Sequence, residues 1–168
     1  MPAAVIKATN AASFIIAKDK DGVRHFLVII EKNGKINIPG GQVERCDRDG
    51  LVGALRELIE ETSNNSVANI ELIDLKHLSC NKIHHHRGDV TEIHTFSYDK
   101  IIDPKLMTIT NKETRGTIWA RCDYFAALID NGTLNDADKY RVYRKNYQLR
   151  SCLVSTLKRF RHLLDTDF

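Results

Sequence analysis

PGGQVERCDRDGLVGALRELIEETS, residues 39–63, carries the densest chemistry in the chain. Two glycines follow a proline at the end of a short strand pattern. Glycine lets a backbone approach a ligand closely and aim its carbonyls at it. From Gly50 to Thr62 the period is helical, with Asp47 or Asp49 as the N-cap. At about 100° per residue, Glu57, Glu60 and Glu61 share one face. Leu51, Leu55, Leu58 and Ile59 take the other side and are expected to face the core. Three carboxylates this close repel one another unless they are solvated or share cations. Oxygen-only ligands at this spacing suit magnesium or manganese. Arg56 directly precedes the first glutamate and is placed to orient it.

At these residues the sequence resembles the Nudix hydrolases. Their box reads G-x(5)-E-x(7)-R-E-U-x-E-E-x-G-U, with U bulky and aliphatic. Gly41 takes the first glycine, and Arg56, Glu57, Leu58, Glu60 and Glu61 take R-E-U and the E-E pair. The resemblance implies an α+β fold: an α/β/α sandwich with a mixed β-sheet and a loop-helix-loop metal site. It also implies a hydrolase in which Glu57, Glu60 and Glu61, with a carbonyl of Gly40 or Gly41, ligate Mg2+ or Mn2+, while Arg56 steadies Glu57. The general base would be Glu57, Glu61 or a carboxylate before the last strand, here Glu113. Two departures stand out. Asp47 replaces the box glutamate, and eight residues rather than seven separate it from Arg56. The expectation is that Asp47 falls short of the metal. The second box glycine becomes Ser63 or Asn64, and Asn64 or Asn65 is expected to make the turn, because asparagine tolerates the left-handed conformation.

Outward from this stretch, Val5 to Lys18 reads as one or two strands and His25 to Lys32 as a buried strand. Asp21-Gly22 and Asn33-Gly34 are turns, and Lys35 to Ile38 is a short strand. Ile70 to Leu78 and Val90 to Tyr98 read as strands around a polar loop, Asn81 to Asp89. A loop from Asp103 to Gly116 leads to a short strand, Thr117 to Ala120, and a helix from Asp123 to Ile129. Tyr147 to Leu164 is expected to form one long basic helix. Trp119 and Phe125 read as core residues, and His25 and His94 as structural histidines in strands.

The 168 residues suit one domain, 1–168. Apolar residues at 42% and charged residues at 28% exclude a disordered or fibrous chain. No apolar run reaches the roughly 20 residues of a membrane span, and no targeting core interrupts the start, so a cytoplasmic protein is expected. Cys46, Cys80, Cys122 and Cys152 lie far apart in sequence and read as reduced thiols.

The net charge of +3 hides an asymmetry. Lys139 to His162 contains eight Lys or Arg and no acid, which leaves 17 basic and 22 acidic residues elsewhere. Arg144 and Lys145 in this segment are candidate substrate-binding residues, and the segment is a candidate RNA surface. His84, His85, His86 and Arg87 form a second candidate substrate loop. The expected partner is a nucleoside triphosphate or nucleoside diphosphate derivative. Capped RNA and diphosphoinositol polyphosphates are the alternatives, and a non-catalytic binding module is the third reading. The chain is expected to act as a monomer or homodimer.

Overall fold

The computed structural model describes residues 7–62, 70–105 and 114–168. The element order is β1 (Asn10–Lys18), β2 (Arg24–Glu31), β3 (Ile36–Asn37), β4 (Gly40–Gln42), α1 (Gly50–Thr62), β5 (Leu75–His84) and β6 (Val90–Tyr98). β7 (Thr114–Arg121), α2 (Cys122–Asp130), β8 (Lys139–Val142), β9 (Lys145–Gln148) and α3 (Ser151–Arg159) follow.

β1 sits at the centre of a mixed sheet. One of its edges pairs in parallel with β6 from Asn10 to Ile16. The opposite edge is shared: Asn10–Ala12 pair with β4, and Ile16–Lys18 pair with β2, both antiparallel. β1 and β2 therefore diverge, and β3 and β4 fill the wedge between them. β7 extends the sheet beyond β2, and β5 extends it beyond β6.

The sheet is covered on both faces, which explains why the central strands read as nearly unbroken apolar runs. Phe14, Ile16, Phe26 and Val28 pack with Phe125 of α2 and with Leu153 and Leu157 of α3. The alternate residues Ile15, Ala17 and Leu27 pack with Leu58 of α1, Phe96 and Trp119. Two layers of helix around one sheet give the expected α/β/α sandwich. Trp119 and Phe125 are core residues, at 6% and 0% exposure.

The Asp21-Gly22 turn forms as read. Asp19 Oδ1 accepts from the N–H of Asp21 and of Val23, and Gly22 takes φ +78°. The polar loop at Asn81–Asp89 is shorter than expected, because β5 runs on through His84. Only His85–Asp89 remain as a tight turn, with Gly88 at φ +85°.

The long helix over 147–164 does not form. Lys139–Val142 and Lys145–Gln148 make a hairpin, with Tyr143 in the left-handed region at φ +57°. The helix begins only at Ser151 and ends at Arg159, and a short 3-10 helix spans Arg161–Asp165. In β8, Tyr140 and Val142 point inward while Lys139 and Arg141 point out. The period there is two, and the tyrosines that interleave the cations belong to that alternation.

Candidate active site

Asp49 is the N-cap of α1. Its Oδ1 accepts from the Val52 N–H at 3.0 Å. The face turned to the sheet carries Gly50, Gly53, Ala54, Leu58, Glu61 and Thr62, all buried. Three small residues let the helix backbone lie close to β1 and β4. This rotates the helix from the expected orientation. Ile59 is 42% exposed instead of facing the core, while Glu61 is 4% exposed.

Gly40 is required where β4 lies against β1, and Gly41 leaves room for the Glu57 carboxylate. A Cβ on Gly40 would stand 2.7 Å from the Ala12 side chain, and one on Gly41 would stand 2.5 Å from Glu57 Oε1. The Gly40 N–H donates to Glu61 Oε1 at 2.9 Å. β4 and α1 thus bring Gly40, Gly41, Glu57 and Glu61 together, although 16 or more positions separate the glycines from the glutamates.

Arg56 ties the rest. Its Nε and Nη2 donate to the two oxygens of Asp47 at 3.0 Å each, and Nη2 also donates to the Gln42 carbonyl at 2.9 Å. Nη1 reaches Glu57 Oε1 and Glu60 Oε2 at 3.2 Å each, with Glu44 at 3.6 Å. Asp47 also accepts from the Glu44 N–H at 2.8 Å. Its side chain is 2% exposed, and the Arg56 guanidinium holds its carboxyl below the usual range. Asp47 is accordingly a partner for Arg56. It lies under the guanidinium, nine positions before Arg56 in the chain.

One guanidinium therefore serves four carboxylates, and Glu61 lies alongside. The donors are all oxygens and the balance is negative, so the residues fit a hard divalent cation. Each carboxylate offers about four lone-pair positions, so those held by Arg56 retain capacity for a further ligand.

The Nudix hydrolase RenU of M. smegmatis matches at TM-score 0.60, with 14% identity over 95% of this chain and 86% of that one. The Ap4A hydrolase of C. elegans, in a binary complex, matches at 0.51, with 19% identity over 68% of this chain and 80% of that one. The NUDIX domain of Shewanella oneidensis NrtR, complexed with ADP-ribose, matches at 0.50, with 15% identity over 96% and 91%. The fold is that of the Nudix hydrolases. No protein-family model matches the chain, and no curated protein matches its sequence.

Other candidate residues lie apart from the Nudix helix. His84 ends β5, and His85, His86 and Arg87 form the β5–β6 turn. His85 meets Thr91 Oγ1 at 2.9 Å. The turn shares the end of the sheet at which Asn10 pairs with Gln42, but β5 stands three strand spacings from β4, about 14 Å. Arg144 stacks over Tyr143 in the β8–β9 turn, beside Lys145. Glu113, Ser63, Asn64 and Asn65 lie outside the described residues.

The sequence reading missed a cleft of about 630 Å³ at the other end of β1. Asp19, His25, Trp119, Arg121, Tyr124 and Tyr143 are among the residues lining it. His25 is buried as expected, with Nε2 3.0 Å from Asp19 Oδ2. No single motif marks this cleft, because its walls come from the ends of β1, β2 and β7, from α2 and from the β8–β9 hairpin, which only the fold brings together. Among the described residues, no helix is long and apolar enough to cross a membrane.

Proposed function

We propose that the chain is a divalent-metal-dependent pyrophosphohydrolase that splits a phosphoanhydride bond in a nucleoside triphosphate or nucleoside diphosphate derivative. The observation that carries this is the approach of Glu57 and Glu61 to Gly40 and Gly41 of β4, with Glu57 and Glu60 held by a guanidinium already committed to Asp47. Glu57, Glu60, Glu61 and a Gly40 or Gly41 carbonyl would hold Mg2+, with Mn2+ as a substitute. The cation would neutralise the diphosphate and lower the pKa of water. Arg56 fixes Glu57 and Glu60 in place. The Gly40 N–H occupies one position on Glu61 Oε1 and sets its rotamer. Water attacks phosphorus, the bridging P–O bond breaks towards the departing phosphate, and the water proton passes to a carboxylate. Glu61, Glu57 and Glu113 are the groups proposed for that proton.

The relatives support the substrate class. One is named for a dinucleoside polyphosphate, and another holds ADP-ribose, a nucleoside diphosphate derivative. His84, His85, His86 and Arg87 would contact the distal part of a long substrate from the same end of the sheet. Arg144 and Lys145 would bind phosphates. Capped RNA is the second reading, favoured by Lys139 and Arg141 on the outward face of β8, with Lys145 exposed beside the hairpin turn. The free thiols Cys46, Cys80 and Cys152 are exposed, which suits a reducing cytoplasm.

The test is incubation with and without Mg2+ against nucleoside triphosphates, dinucleoside polyphosphates, ADP-ribose, diphosphoinositol polyphosphates and capped RNA, with products identified by mass spectrometry. Metal-dependent release of a phosphate product from one class supports the proposal and names the substrate. Binding of these compounds without turnover under any metal would replace it with the binding-module reading.

A further inference from the structure

A second cluster of metal-binding donors lies on the α1 face of the sheet, on β5 and β6. Cys80 of β5 and His94 of β6 are directly paired across the ladder, and Glu92 lies two residues from His94 on the same face. The thiol, imidazole and carboxylate donor atoms all lie within 4.8 Å of one another.

We propose that Cys80, Glu92 and His94 form a binding site for a zinc-class divalent cation, distinct from the glutamate site on α1. The spacing supports it. Tetrahedral zinc with ordinary bond lengths places sulfur and nitrogen about 3.6 Å apart, and nitrogen and oxygen about 3.3 Å apart. Here Cys80 Sγ is 3.8 Å from His94 Nε2, and Glu92 Oε1 is 2.9 Å from the same nitrogen. The sulfur and the carboxylate oxygen also lie within 4.8 Å of each other, so the three donors surround one position. Coordination would displace the proton between His94 and Glu92 and the proton of the thiol, both to solvent. A thiolate with an imidazole selects zinc over magnesium.

The surroundings are built for this orientation. His77 Nε2 lies 3.0 Å from His94 Nδ1, which turns Nε2 of His94 towards Cys80 and Glu92. His77 and Cys80 are three residues apart and would normally point to opposite faces of a strand. The register slips between His77 and Ser79, so Leu78 is an extra residue in the ladder. That bulge brings His77 to the face of Cys80. His94 is 4% exposed, whereas Cys80 is exposed and leaves a fourth position open to water. Glu92 also has Lys82 Nζ at 3.8 Å and lies against Gly50 at the start of α1, so the ion would tie β5 to β6 beside that helix.

The full chain, stripped of metal, is titrated with Co2+ and followed by absorption. One equivalent giving a thiolate-to-cobalt charge-transfer band with tetrahedral visible bands, displaced by Zn2+, is the expected result. The band should vanish in Cys80→Ser and persist in Cys46→Ser, Cys152→Ser and Glu61→Gln. His77→Phe should weaken Zn2+ binding about 10- to 100-fold with the band retained. Absence of a thiolate band, or its survival in Cys80→Ser, overturns the proposal. Because Glu61→Gln leaves this readout intact, failure of the hydrolase reading and failure of this one are separable.

Discussion

The Nudix helix and the C-terminal segment concentrate opposite charges and handle them differently. On α1, carboxylates crowd one arginine, and Asp47 is buried beneath it. In the C-terminal segment the cations find partners from elsewhere. Arg161 meets Asp130 at 2.8 Å and Asp165 at 2.5 Å, and Arg150 approaches Glu31 at 3.6 Å. Arg144 and Arg159 stack on Tyr143 and Phe160. The run of eight cations is therefore partly answered by acids and rings, whereas α1 retains an excess of oxygen donors. A charge run in sequence measures a field only after its tertiary partners are counted.

The largest expected effect is on turnover. Glu61→Gln keeps an acceptor for the Gly40 N–H and removes the charge, so steady-state hydrolysis should fall at least ~100-fold with circular dichroism unchanged. Activity near wild type would sink the role given to α1. The next contrast is in stability. Arg56→Met strands Asp47, whose side chain is 2% exposed, whereas Arg161→Met strands Asp130 and Asp165, which are 57% and 60% exposed. The thermal midpoint should drop more for Arg56→Met, because exposed pairs are worth little; equal drops would erase the distinction between the regions.

A smaller effect separates the two by pH. The Asp47 carboxyl is held below its ordinary value near 3.9 by Arg56 and the Glu44 N–H. A depressed folded pKa contributes stability that is present above the unfolded value and is lost as pH falls through the folded one. The gap in thermal midpoint between wild type and Asp47→Asn should narrow as pH is lowered below about 4; a gap independent of pH would show that the charge of Asp47 is not what holds Arg56. The smallest effect concerns the basic hairpin. If it contacts single-stranded RNA, Arg144→Ala with Lys145→Ala should reduce the slope of log affinity against log salt by about 0.7 per lost phosphate contact. An unchanged slope would remove RNA from that surface.

Much of the site was legible because its relations are local. The bounds of α1 and the clustering of the three glutamates along it follow from chain geometry alone. The rotation of α1 was not legible. A helical projection fixes residues relative to one another, but the packed face is chosen by what fits. Gly50 fits against Ala8 and Glu92, and Gly53 against Val43 and Asp47, so Glu61 turned inward and Ile59 turned out.

The C-terminal misreading has the same origin. Leu149, Leu153, Val154 and Leu157 do form an apolar set, but it spans a strand end and a helix that meet in one core. Leu149 bridges Ile36 of β3, and the Arg150 N–H donates to the Ile36 carbonyl, so the backbone there is committed to the sheet.

The amino-acid sequence by itself determined where the chain turns, where α1 begins and ends, and which carboxylates travel together, since each depends on neighbours within a few residues. Only the tertiary structure decided that Asp47 lies under Arg56, that Glu61 faces Gly40, and that a one-residue bulge puts His77 and Cys80 on one face. Those arrangements depend on which surfaces pack, and packing joins residues that the chain keeps far apart.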